Sequence, residues 1–142
     1  MANNHAFIKG NLTHDPTFDY LEGRNGEGVV PFMRLNVAVD RESASGADFF
    51  QVVAYGKQAL HDHAFLRQGS EVAVTARLRM RRIGENGRQR ILVELVANDI
   101  TFVRNIDWAR GRSHWRQVQS EQEEALMAQG KELKIGDSSN GN

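Results

Sequence analysis

The 142-residue chain has no cysteine. That excludes a disulfide framework, a thiolate metal site and a cysteine nucleophile. No apolar run approaches the roughly 20 residues of a membrane span, and the polar first residues lack the pattern of a signal peptide. An excess of one charge is missing too, since 18 lysines and arginines stand against 18 acids. Net charge therefore gives no argument for a polyanionic partner; only the distribution of charge can. No glycine-rich loop leads from a strand into a helix through lysine and serine or threonine, so no phosphate-cradling loop is expected. Five histidines (5, 14, 61, 63 and 114) have no carboxylates at ligand spacing, and His61 and His63 diverge on an expected helix. These absences predict a soluble intracellular protein with no metal, no cofactor and no catalytic group. The length fits one ordinary domain, or a smaller one with an appendage, and suffices for a real core.

What is present centres on residues 48–57, Asp-Phe-Phe-Gln-Val-Val-Ala-Tyr-Gly-Lys. The stretch alternates with a period of two, as a strand does. Phe50, Val52 and Ala54 form an apolar face suited to a core. Phe49, Gln51, Val53 and Tyr55 form the other, with two rings flanking an amide. Two readings are open: all the rings are core, the commoner fate of aromatics, or the second face is a platform for flat ligands.

Alternation recurs along the chain. Ala6–Leu12 reads as a first strand, ended by His14-Asp15-Pro16, and residues 22–28 as a turn around Asn25-Gly26. From Phe32 to Arg41, Met33, Leu35, Val37 and Val39 face the core; Phe32, Arg34, Asn36, Ala38 and Asp40 face out. Lys57–Gln68 has helical spacing, with Gly69 suited to closing it. In Glu71–Ile83 the expected core row is Val72, Val74, Ala76, Leu78 and Met80, opposite Thr75, Arg77, Arg79, Arg81 and Ile83. A hairpin loop at 84–87 leads into Arg88–Val96, with Ile91, Val93 and Leu95 facing in and Arg88, Arg90, Leu92 and Glu94 out. Residues 100–103 make a last short strand. About five strands with one helix between the third and fourth predict an all-β, five-stranded Greek-key barrel of the OB type.

Several segments resemble the bacterial-type single-stranded DNA-binding proteins: Gly10-Asn11-Leu12 before Asp15-Pro16, Leu35–Arg41, Phe49–Lys57, Phe65–Val72, Arg77-Leu78-Arg79 and Glu94–Asn98. Single pieces are weak, but all of them in order and at spacing are specific, and they span about Phe7 to Val103. The resemblance implies an OB-fold binding domain over residues 1–104. It also implies sequence-independent binding and protection of single-stranded DNA in replication, recombination or repair, a bacterial cytoplasmic or nucleoid location, and a homotetramer. Apolar Phe7, Phe50 and Leu92 add a hint of association. There are departures. Phe49 stands where the family usually has tryptophan or another aromatic, Ile91 where it commonly has tyrosine and Ala76 where it commonly has glycine, and the loop at 23–30 is longer than usual. The final residues, Gly136–Asn142, do not match the family's acidic, aromatic-tipped tail, so recruitment of replication or repair proteins by such a tail is not expected.

The outward faces then acquire a chemistry. Six arginines and one acid, Glu85, lie between residues 77 and 90. The expected nucleic-acid-binding set is Phe32, Arg34, Phe49, Gln51, Tyr55, Lys57, Arg77, Arg79, Arg81, Arg88 and Arg90. Rings stack unpaired bases while cations follow phosphates. The bland alternative for the arginines is a solvated hairpin face. Competing functions are an adaptor barrel of a replication-restart complex with weak nucleic-acid affinity, and an RNA-binding barrel. Beyond residue 104 the extension 105–142 is expected to carry a connector, a helix over about 113–129 capped by Ser113 and stopped at Gly130, and a mobile polar end. Trp108 and Trp115 are expected to pack on the barrel or a neighbouring subunit, with an extended DNA-stacking path as a lesser reading.

Overall fold

The computed structural model describes residues 3–23, 26 and 28–136. Its elements run β1 (Ala6–Leu12), β2 (Thr17–Glu22), β3 (Val29–Asp40), β4 (Ala47–Tyr55), α1 (Gly56–Asp62), β5 (Glu71–Glu85), β6 (Arg88–Arg104) and α2 (Trp108–Gly136). The strands form one sheet in the order β1-β5-β6-β4-β3-β2, and β1 also pairs with β3. That extra pairing closes β1, β5, β6, β4 and β3 into a ring and leaves β2 outside it. β4 and β6 run parallel, and every other pairing is antiparallel. A parallel pair cannot be joined by a hairpin; here α1 and β5 supply the crossover.

Closure depends on β1 changing partners. Ala6 to Asn11 pair with β5, and Asn11 and Leu12 pair with Ala38 and Val37 of β3. A Cβ on Gly10, beside that switch, would lie 2.1 Å from the Ala38 carbonyl oxygen. Only glycine lets the two backbones approach so closely.

The ring encloses Leu12, Met33, Leu35, Val37, Val52, Ala54, Val72, Val74, Ala76, Leu95 and Ile100, with Ala59 and Leu66 covering one end. Each fully buried valine, leucine, isoleucine or methionine contributes about 1.5–3 kcal/mol. The five-stranded OB barrel is thus the fold, and α1 lies between the third and fourth strands of the ring.

Several local expectations need correction. β2 is an additional strand that flanks the ring: only Phe18 is half-buried, so no apolar alternation marks it in the sequence. The helix after β4 ends at Asp62 rather than Gln68. Ala64, Phe65 and Leu66 turn inward and are buried, the Arg67 amide donates to Ser70 Oγ at 3.0 Å, and the Gly69 amide donates to the Leu12 carbonyl at 2.9 Å. β6 is one strand through Arg104, with a register shift opposite Thr75/Ala76 instead of a break. Leu78, Met80, Ile91 and Val93 keep the inward parity expected of them but are exposed, Met80 at 71%. The β5–β6 hairpin outruns the barrel, so past Ala76 there is no interior for them to enter.

The extension differs most. α2 begins at Trp108, not Ser113, and continues through Gly130 to Gly136. Asp107 accepts the Arg110 amide at 3.1 Å, the side-chain cap expected of Ser113. The first turns dock on the barrel end. Trp108 meets Phe65 and Phe102 edge-on, at 5.8 and 5.9 Å between ring centres. Arg110 donates to the carbonyls of Ala64 and Leu66. Gly111 sits flat on Phe65, whose ring carbon would be 2.1 Å from any Cβ there. Leu126 and Met127, farther along, are exposed. The polar end over 137–142 and the expected turn residue Asn25 lie outside the described residues. No helix among the described residues is long and apolar enough to cross a membrane.

Candidate nucleic-acid interface

Register assembles the outward face. In the β3–β4 ladder Phe32 opposes Tyr55, Arg34 opposes Val53, Asn36 opposes Gln51 and Ala38 opposes Phe49. Directly opposed residues share a face. The rings of Phe32 and Tyr55 lie 5.1 Å apart, tilted by 44°. The Arg34 guanidinium sits 5.2 Å over Phe32. Its Nε is buried with no hydrogen-bond partner among the described residues. Phe49 is 71% exposed at the far end of the row, while Gln51 and Tyr55 are half-buried.

The face continues across the parallel junction. Val53 pairs with Val96 of β6. Opposite β6, Arg77 faces Val96, Arg79 faces Glu94, Arg81 faces Leu92 and Ile83 faces Arg90. Val53 and Val96 are buried although they point outward, so they form an apolar floor beneath the flanking side chains. Arg77, Arg81, Arg88 and Arg90 are exposed. Ile83, Gly84, Arg88 and Arg90 line a hollow of about 520 Å³ at the hairpin. Lys57 is exposed in the first turn of α1, two residues past Tyr55.

Arg79 departs from its expected role as an open cation. Its Nε donates to Glu94 Oε1 at 3.0 Å, Nη2 donates to that oxygen as well, and Nη2 reaches Tyr55 Oη at 2.7 Å. Burial works against its charge, but the bonds to Glu94 and Tyr55 more than offset this and hold its pKa above the ordinary guanidinium value. Glu94 lies on the outward row, as its parity places it, but is 1% exposed beneath Arg79.

β2 brings residues that the sequence did not single out. Thr17, Phe18, Asp19 and Leu21 line a groove of about 380 Å³ with Phe32 and Arg34. The signal was present in Thr-Phe-Asp-Tyr-Leu after Pro16, but no buried partner row supported it.

Three of the histidines, His61, His63 and His114, gather elsewhere, where α1 and its following turn meet α2. His63 stacks on Phe18 at 3.8 Å and meets His114 edge-on at 4.7 Å. His61 stacks on Phe65 at 4.7 Å and bonds Asp62 at 2.6 Å. Burial is the main cause that keeps the His63 pKa below the usual imidazole value, and His114 and Arg110 act in the same direction. Trp115 meets His61 edge-on at 5.0 Å, so both tryptophans join this cluster rather than the Phe32–Tyr55 rings. No group of three or more potential metal ligands occurs among the described residues.

An OB barrel with rings and arginines on one continuous face defines a class of nucleic-acid-binding domain. The pattern of the single-strand binding protein family matches residues 3–103. The chain belongs to that family. It is 30% identical over 115 residues to a single-stranded DNA-binding protein of Clostridium tetani, covering 78% of this chain and 74% of that one. A single-stranded DNA-binding protein of Thermotoga maritima is 32% identical over 108 residues, 70% of this chain and 73% of its own. A Staphylococcus aureus relative, single-stranded DNA-binding protein 1, is 29% identical over 147 aligned positions, 98% of this chain and 91% of its own.

Proposed function

We propose that this chain binds single-stranded DNA without regard to sequence and protects and presents it in replication, recombination or repair. The observation that carries the reading is the single outward face from Phe49 through Tyr55 and Phe32 to the hairpin arginines. Phe32, Phe49 and Tyr55 stack bases, each stacked base contributing about 1–3 kcal/mol. Arg77, Arg81, Arg88, Arg90 and Lys57 track phosphates, and their counterion release makes affinity fall with salt. Arg34, with its Nε unpartnered, and Gln51, between the rings, supply hydrogen bonds to phosphate or base edges. The role is non-catalytic and needs no cofactor.

Residues 1–104 are the binding domain, and 105–142 an extension that steadies its end. Membership of the family supports a homotetramer acting in the bacterial cytoplasm, and exposed Phe7 and Phe50 are compatible with buried faces between copies. Titration of fluorescent poly-dT and poly-U at two salt concentrations tests the reading. Tight, salt-sensitive binding that favours poly-dT is expected. Preference for poly-U would make this an RNA binder; weak binding to both would make it an adaptor.

A further inference from the structure

Glu94 is out of place on an anion-binding face. Its side chain has no solvent exposure, and Oε2 has no hydrogen-bond partner among the described residues. An ionised carboxylate so buried is costly unless compensated. The compensation comes through Oε1 alone, which takes Nε and Nη2 of Arg79. The same guanidinium donates to Tyr55 Oη at 2.7 Å and lies 5.5 Å from the centre of that ring. Three strands thus meet in one chain of contacts: Glu94 on β6, Arg79 on β5 and Tyr55 on β4, with Phe32 of β3 against the tyrosine. Charge-assisted hydrogen bonds of this kind are strong and directional.

We propose that Glu94 and Arg79 are a positioning pair. They fix the Tyr55 ring as a stacking platform and withhold the Arg79 charge from the phosphates. This rests on the DNA-binding reading and goes beyond it by dividing the hairpin arginines into two kinds. Arg77, Arg81, Arg88 and Arg90 answer to phosphate; Arg79 answers to Tyr55. The carboxylate holds the place that a phosphate oxygen would otherwise take.

Salt dependence separates the two roles. For single strands the slope of log K against log salt is about −0.7 per phosphate contact. The test titrates fluorescent dT oligonucleotide between low and moderate salt with the full chain and with Arg79→Gln, Tyr55→Phe, the double variant Arg79→Gln/Tyr55→Phe, and Glu94→Gln. Circular dichroism checks each fold.

Arg79→Gln and Tyr55→Phe should each weaken binding roughly tenfold, the scale of one lost charge-assisted bond, with the slope unchanged. The double variant should lose little more than either alone, as coupled residues do. Glu94→Gln leaves the Arg79 charge uncancelled, so the slope should steepen by about 0.7. A slope flattened by about 0.7 in Arg79→Gln, or losses that simply add in the double variant, would overturn the proposal while leaving DNA binding intact. If Arg79→Gln does not fold, because it leaves the Glu94 carboxylate buried without its cation, the slope of Glu94→Gln decides: steepened, it supports the proposal; unchanged, it overturns it. Failure of the unaltered chain to bind the oligonucleotide would overturn the DNA-binding reading as well.

Discussion

Replacing Phe49 with alanine should separate DNA affinity from stability. Phe49 is 71% exposed and faces Ala38 across the ladder, so its ring has little to pack on within the chain. Full burial of such a side chain is worth about 1.5–3 kcal/mol. With less than a third of that burial realised, the loss to folding should stay below about 1 kcal/mol. A stacked base, in contrast, contributes about 1–3 kcal/mol, which is roughly 5- to 160-fold in Kd. Fluorescence anisotropy with a labelled dT oligonucleotide measures the affinity, and thermal unfolding by circular dichroism measures the stability. The expected pattern is a clear loss of affinity with a melting temperature within a few degrees of the parent. Tyr55→Ala is the contrast, because that ring is half-buried on Phe32 and bonded to Arg79, so both quantities should fall. Unchanged Kd in folded Phe49→Ala would refute the assignment of this ring to base stacking.

Other consequences can be measured in the same way. Changing Arg88 and Arg90 together to glutamine should reduce the salt slope for single-stranded DNA by about 1.4; an unaltered slope would make them a solvated face. Gly10→Ala sets a Cβ against the Ala38 carbonyl where β1 closes the ring. It should cost at least about 1–3 kcal/mol, the scale of overpacking, and a parental melting temperature would contradict the closure described. Gly111→Ala pushes α2 off Phe65, so tryptophan emission should shift to the red as Trp108 and Trp115 gain water; an unshifted spectrum would mean that α2 is not held by this contact. His63, with a lowered pKa, makes stability depend on pH. Below about pH 6.5 the unfolded chain takes up a proton that the folded one resists, so stability falls from there down to the folded-state pKa. His114 and Arg110 face it from α2 and add repulsion once it is charged. Asp62, raised mainly by burial, acts oppositely, adding stability as pH falls through its own folded-state pKa. His63→Gln should flatten the decline between pH 7 and 5, which melting curves across that range will check.

Period-two alternation by itself determined the ring strands, because parity decides which residues can enter a core. Met33, Leu35, Val37, Val52, Ala54, Val72 and Val74 are buried as their parity requires. The same parity collected Phe32, Tyr55, Gln51 and the arginines on one side, since register carries one strand's face onto the next. Parity is blind to how far the barrel extends. Leu78, Met80, Ile91 and Val93 have inward parity but lie beyond the enclosed volume, and only the closed ring sets that limit. Nor can one strand's pattern show what a neighbouring strand places beside it. Arg79 and Glu94 are fifteen residues apart in the chain, and Arg79 and Tyr55 twenty-four. Each is an ordinary surface residue by its own segment, and the ladder alone makes one a buried carboxylate and the other its occupied cation. α2 has the same lesson at its start. Asp107 is bound as a cap and Gly111 seated on Phe65 because β6 delivers the chain to that end of the barrel, a position that local sequence does not encode.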